Sequence, residues 1–156
     1  GLGVARVDAR EFVIADIPGL IEGAHEGVGI GDRFLGHIER CRVLVHLIDI
    51  SNTDPVEAMQ IVEEELEAYG GGLEDKPRLV ALNKIDLPAA QPEKYAEELA
   101  NLIGVEPEDV LKVSGKTGQG VPELLDRIVE ARDWLGHLAA NPASRSKTCV
   151  EEISET

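Results

Sequence analysis

Asn83, Lys84 and Asp86 put a side-chain amide, an ammonium and a carboxylate within four residues, directly after the apolar run Leu79-Val80-Ala81-Leu82. Such a run reads as a buried strand, and open α/β sheets bind their ligands at the carboxyl ends of strands. Asp86 is an acceptor-only group with two oxygens, able to take paired N–H donors from one edge of a planar base. Among purines, guanine offers that pair at N1 and the 2-amino group, so the pattern points to a guanine reader. Two more polar clusters follow apolar runs. Phe12-Val13-Ile14-Ala15 leads into Asp16-Ile17-Pro18-Gly19, and Val110-Leu111-Lys112-Val113 leads into Ser114-Gly115-Lys116.

The elements that must position these clusters alternate between strand and helix. Gly3 to Asp8 and Phe12 to Ala15 are extended runs around a short polar turn and read as a β-hairpin. Val43 to Ile50 is a third strand. Asp54 then caps a helix with Pro55 at its first position and Glu57 three residues after the cap; Val56, Met59, Val62, Leu66 and Tyr69 share one face, and Gly70-Gly71-Gly72 ends it. A second helix carries Tyr95, Leu99, Leu102 and Ile103 and stops at Gly104. A last helix runs from about Pro122 to Leu135, with Leu124, Leu125, Ile128 and Leu135 on its buried side. This alternation predicts an α/β three-layer sandwich with a mostly parallel sheet, helices on both faces and the hairpin as an antiparallel edge. Residues 1–135 read as one domain. From Gly136 the apolar period is lost, so 136–156 reads as a linker or disordered C-terminal tail.

The three clusters are similar to the D-x-x-G, N-K-x-D and S-A-K elements of translation-factor-type GTPases. The glycine-studded stretch from Asp16 to Asp49, DIPGLIEGAHEGVGIGDRFLGHIERCRVLVHLID, resembles one branch of them, the Obg family of ribosome-associated GTPases. The resemblance covers residues 1 to 135 and implies a P-loop-NTPase-like fold that binds GTP and GDP with Mg²⁺. It implies that Asp86 pairs with guanine N1 and the 2-amino group, that Asn83 bonds the base edge and ties the loops, and that the stem of Lys84 packs on ring and ribose. The N–H around Gly115, after Ser114, would meet guanine O6, with Lys116 packing over the base. Gly115 stands where the motif usually has alanine, which keeps a small residue but loosens the loop. Asp16 would hold Mg²⁺ through a water, and the Gly19 N–H would touch the γ-phosphate, a contact made only before hydrolysis. Leu20 occupies the place of the water-orienting glutamine of Ras-like members, so no catalytic residue is assigned. Glu22 to Gly31, with four glycines, has the composition of a switch segment, and Phe34, Leu35 and Ile38 read as the buried side of a helix behind it.

A complete GTPase domain begins with a strand and G-x-x-x-x-G-K-[ST], whose amides and lysine cradle the phosphates. No such segment precedes Asp16, and Gly115-Lys116-Thr117 fails the spacing because Val110 stands where the first glycine must be. The expectation is therefore an N-terminally truncated G domain that reads guanine, binds nucleotide weakly and does not hydrolyse it. In the resembled fold the strand feeding the phosphate loop lies between Phe12–Ala15 and Val43–Ile50. Its loss predicts a hairpin that docks poorly or shifts to pair directly with Val43–Ile50.

Each short pattern has a plainer use, Asp-x-x-Gly as a turn and Asn83 with Asp86 as a helix cap; three of them in order at three strand ends favour the nucleotide reading. A non-catalytic pseudo-GTPase interaction module is the alternative. A dinucleotide-binding Rossmann domain is disfavoured, since no G-x-G-x-x-G follows the first strand. The 15 basic and 30 acidic residues give a net charge of −15, opposing a direct nucleic-acid face; the resemblance implies contact with the large ribosomal subunit through other domains. Cys41 and Cys149 are too few for a zinc site and read as reduced thiols. His25, His37, His46 and His137 lack metal-ligand spacing. No secretory signal or membrane-length apolar run is present, which reads as cytoplasmic with no membrane partner.

Overall fold

The computed structural model describes residues 2–18, 40–51, 53–69, 75–138 and 149–154, with the backbone alone for 16–18, 65, 69, 134–138 and 149–154. Gly19, Leu20, the Glu22 to Gly31 segment with His25, and Phe34, Leu35, His37 and Ile38 lie outside the described residues, as do Gly70 to Gly72. The elements are β1 (Leu2–Val7), β2 (Arg10–Pro18), β3 (Cys41–Asp49), α1 (Pro55–Tyr69), β4 (Arg78–Asn83), α2 (Pro92–Ile103), β5 (Leu111–Lys112), α3 (Val121–Leu138) and β6 (Cys149–Ser154), with a 3₁₀ turn at Pro107–Asp109.

They form one six-stranded sheet in the order β1-β2-β6-β3-β4-β5. The β1–β2 pair is antiparallel, and each remaining neighbour pair is parallel. Period-two alternation on the central strands divides the core between two faces. On one side Ile48, Val80 and Leu82 pack with Met59, Leu99 and Ala100. On the other Phe12 and Val45 pack with Ile128 and Val129, joined by Ile14, Leu47 and Leu79. Helices α1 and α2 therefore cover one face and α3 the other. Arg10 Nη1 reaches Asp133 at 2.6 Å and Arg132 donates to the Glu11 carbonyl at 3.0 Å, fastening the hairpin to α3.

The helix boundaries follow local chemistry. The Asp54 carboxylate accepts the Glu57 N–H at 3.0 Å, satisfying an orphan donor of the first turn of α1. Gly104 takes φ 75° and donates its N–H to the Ala100 carbonyl, closing α2 with a left-handed cap. On α2, however, Leu102 is 42% exposed and Ala96 and Ala100 are buried in its stead. Leu99 is buried as expected and Tyr95 and Ile103 pack against the same cluster, so the buried stripe is centred on Ala96, Leu99 and Ala100.

The largest difference from the sequence expectation is at the C-terminus. Helix α3 continues to Leu138, and Cys149–Ser154, expected as linker or tail, forms β6 between β2 and β3. The hairpin does not shift to pair with β3: β6 runs parallel to both, Val13 to Pro18 matching Cys149 to Ser154 on one side and Val43 to Leu47 matching Val150 to Ser154 on the other. The two strands would otherwise present unpaired N–H and C=O groups, and β6 supplies partners to both. Among the described residues no helix is long and apolar enough to cross a membrane.

Candidate functional site

Five parallel strands end on the same edge of the sheet: β2 at Asp16 to Pro18, β6 at Ser154, β3 at Asp49, β4 at Asn83 and β5 before Ser114. The β4 and β5 ends are knitted together by backbone. The Val113 N–H donates to the Leu82 carbonyl at 2.8 Å and the Ile85 N–H to the Val113 carbonyl at 3.3 Å. The loop of 83–86 is thereby held against the loop of 114–117.

Side chains complete the junction. Asn83 Oδ1 accepts the Lys84 N–H at 2.8 Å and the Gly115 N–H at 3.1 Å, so one amide oxygen ties the loops. The Ser114 hydroxyl, fully buried, donates to Asp86 Oδ1 at 2.6 Å and accepts the Thr117 N–H at 3.1 Å. That hydrogen bond holds the Asp86 carboxyl below its ordinary range, against a smaller opposing effect of desolvation and with help from its own N–H and the Lys116 charge. A carboxylate offers about four lone-pair sites, so Asp86 keeps capacity for further donors. Gly118 (φ 83°) and Gly120 (φ 73°) shape the return into α3, and a Cβ on Gly120 would lie 2.0 Å from the Lys112 carbonyl oxygen. At Gly115 an added Cβ would meet Asn83 Oδ1 at 3.8 Å, an ordinary contact.

Lys84 adopts φ 64°, a left-handed conformation that costs a side-chain-bearing residue energy and is found where function constrains the backbone. Its ammonium crosses to β3 and meets Asp49 Oδ2 at 2.6 Å. Burial pushes the Asp49 carboxyl up, but the bonds from Lys84 and from the Ser51 hydroxyl and N–H outweigh it and leave it below the usual range. Asp49 is the residue the sequence reading missed as part of this edge. Its signal was available, a carboxylate ending the buried run Val43 to Ile48.

The structure thus brings together Asn83, Lys84, Asp86, Ser114, Gly115 and Lys116. Asp16 shares the sheet edge through the backbone of β2, two strands from Asp49, with Glu152 of β6 as its register partner. Gly19 is outside the described residues. The Gly115 N–H, expected to face guanine O6, is engaged by Asn83 Oδ1, whereas the Lys116 N–H has no acceptor among the described residues. Among the described residues no group of three His, Cys, Asp or Glu side chains is placed to hold a metal ion.

A parallel α/β sheet with an antiparallel edge hairpin and polar loops gathered at its strand ends defines a P-loop-GTPase type of domain fragment. Residues 2–84 match the 50S ribosome-binding GTPase family. The GTPase Obg of Erythrobacter litoralis is 57% identical over 155 residues, 99% of this chain and 42% of that protein. Those of Rhizorhabdus wittichii and Novosphingobium aromaticivorans are 62% and 63% identical over 130 residues, 83% of this chain and 37% and 36% of theirs. The chain belongs to the 50S ribosome-binding GTPase family, and within it to the Obg GTPases. It spans about two fifths of the length of these relatives.

Proposed function

We propose that this chain is the guanine-reading part of a GTP-binding, GTP-hydrolysing switch of the Obg type, acting in the cytoplasm in ribosome assembly or stress response. The observation that carries the reading is the junction of β4 and β5, where Ser114 orients the Asp86 carboxylate and Asn83 locks the two loops in register. Asp86 takes guanine N1–H and the 2-amino group, Lys116 N–H donates to O6, and the stem of Lys84, stretched between its left-handed backbone and Asp49, forms a floor for ring and ribose. Asn83 Oδ1 ties the loops through the Lys84 and Gly115 N–H groups, while its amide NH₂ donates to the base edge.

Phosphate chemistry belongs to the other end of the edge. Mg²⁺ is usually held by one or two carboxylates together with substrate phosphates and waters, so a cage of three protein ligands is not required. The position of Asp16, at the carboxyl end of β2, suits that donor set, with Mg²⁺ held through a water and the Gly19 N–H toward the γ-phosphate. When bound, the ion neutralises charge on the transferring phosphoryl group. Contact with the large ribosomal subunit falls to other parts of the whole protein, since the net charge of −15 opposes a direct nucleic-acid face here.

The alternative is a non-catalytic interaction module, in which the same sheet edge serves a protein partner. Calorimetric titration separates the two. A guanine reader binds GTP and GDP weakly, with little preference between them and none for ATP; an interaction module binds none of the three.

A further inference from the structure

Asp49 ends β3 and Asn83 ends β4, and the two are register partners on strands paired directly with each other. The Ile50 N–H donates to the Asn83 carbonyl at 3.2 Å, carrying the pairing through to the strand ends. Lys84 leaves this ladder at φ 64° and its side chain crosses to Asp49. Each oxygen of that carboxylate has its own task. Oδ1 accepts the Ser51 N–H at 2.9 Å and the Ser51 hydroxyl at 2.5 Å, a local turn that fixes the plane of the carboxylate, and Oδ2 accepts the Lys84 ammonium at 2.6 Å. We propose that Asp49, locked by Ser51, is a positioning residue for the guanine site: it holds the stem of Lys84 extended before nucleotide arrives and so raises affinity for the base without touching it.

This positioning role rests on the reading of Asn83 to Asp86 as a guanine reader, and it names the residues that make the Lys84 floor rigid. A lysine stem has many rotamers, and ordering such a side chain on binding costs affinity. The Lys84 stem is anchored at both ends. Its N–H is bonded to Asn83 Oδ1 on a left-handed backbone, and its ammonium is bonded to Asp49, so the order is present in the folded chain without ligand. The energetics favour positioning over stability. The Lys84 side chain is 52% exposed and that of Asp49 27%, and pairs so open to water contribute little to the folded state. Three donors nonetheless converge on this one carboxylate, two from Ser51 and one from Lys84, and fix its direction. A fixed direction with small gain in stability is what a preorganised binding surface needs.

The two carboxylates of this edge then divide the work. Asp86 is oriented by the Ser114 hydroxyl and keeps acceptor capacity for the donors of guanine. Both oxygens of Asp49 are engaged by Ser51 and Lys84, so Asp49 orients the lysine and does not compete with Asp86 for the base.

The test uses guanosine, which carries no phosphate, so that charge effects report on the protein's own pairs. Nuclear magnetic resonance titration of the isotope-labelled chain compares wild type, Asp49→Asn, Lys84→Met and the double variant. Asp49→Asn keeps an oxygen for the Ser51 donors and loses the charge that holds Lys84. Guanosine affinity should fall about three- to tenfold, the range expected for one side chain that must be ordered on binding. Combined with Lys84→Met, the same substitution should change affinity by less than about twofold, because no ammonium remains to be held. Before ligand is added, the two ε-methylene protons of Lys84 should resolve in the wild type and merge in Asp49→Asn, a signature that loss of stability does not produce. Raising salt to about 1 M, where charges are screened within about 3 Å, should weaken guanosine binding by the wild type relative to Lys84→Met, an arm that stands even where Asp49→Asn fails to fold. The positioning role alone is overturned if the wild type binds guanosine and Asp49→Asn binds it equally, if Asp49→Asn loses as much affinity with Lys84→Met as without it, or if salt acts equally on wild type and Lys84→Met. A wild type that binds no guanosine although its Lys84 stem is ordered overturns the guanine reading itself, and the positioning role with it.

Discussion

Replacing Asp86 by Asn changes one atom's chemistry and almost nothing of its shape. The Ser114 hydroxyl that donates to Oδ1 at 2.6 Å can donate equally to an amide oxygen, so the junction of β4 and β5 should survive and the unfolding midpoint should hold. What changes is the second position, where an NH₂ group replaces an acceptor and confronts guanine's own donors. One acceptor is lost and a donor is set against the 2-amino group, and the bonds to a charged acceptor are the stronger kind. Affinity for guanosine monophosphate should fall by roughly one to two orders of magnitude. Xanthosine monophosphate carries an oxygen acceptor where guanine has the 2-amino group, so the amide donates to it and affinity for that ligand should rise. Nuclear magnetic resonance titration of wild type and Asp86→Asn with both nucleotides reads the exchange directly. If Asp86→Asn binds guanosine monophosphate as the wild type does, Asp86 does not face the base and the assignment fails. In the wild type, guanine binding should be flat from neutral pH down to the ordinary Asp value of 3.8; with the folded pKa depressed, the contribution of Asp86 is present above that value and lost only as pH falls below it.

Gly120→Ala forces a Cβ to 2.0 Å from the Lys112 carbonyl at φ 73° and should cost at least about 2 kcal/mol by urea denaturation, whereas Gly115→Ala should be neutral or slightly stabilising. Burial, aided by the Arg78 charge, lowers the His46 pKa from 6.5 to about 4, so the unfolded chain takes up a proton that the folded chain refuses between those values. Stability should therefore decline from this residue by about 3 kcal/mol as pH falls from 6.5 to 4, and His46→Leu should remove that part of the slope in a series of denaturation midpoints.

The residues that made the fold legible are those whose chemistry is local. Asp54 with Glu57, Gly104, and the aliphatic runs of β3 and β4 announce their roles within a few positions, and the polar clusters at the strand ends are read from the same short windows. The β6 strand was not legible, because Cys-Val-Glu-Glu-Ile-Ser has two adjacent carboxylates where a central strand wants apolar side chains, and its pairing with β2 and β3 emerges only in the fold. The Asp49–Lys84 pair and the meeting of Cys41 with Cys149 are likewise products of topology, joining residues 35 and 108 positions apart. At Gly115 the partner of the N–H, Asn83 Oδ1, came from the other loop and so from the fold.

The central claim is that this chain reads guanine through the β4–β5 junction independently of phosphate. Titration of the isotope-labelled chain with guanosine monophosphate and, in parallel, adenosine monophosphate tests it most directly. The account predicts weak, saturable shifts at Asn83 to Asp86 and Ser114 to Thr117 with the guanine nucleotide and none there with adenine. Equal responses to the two nucleotides, or guanine-dependent shifts located elsewhere, would contradict it.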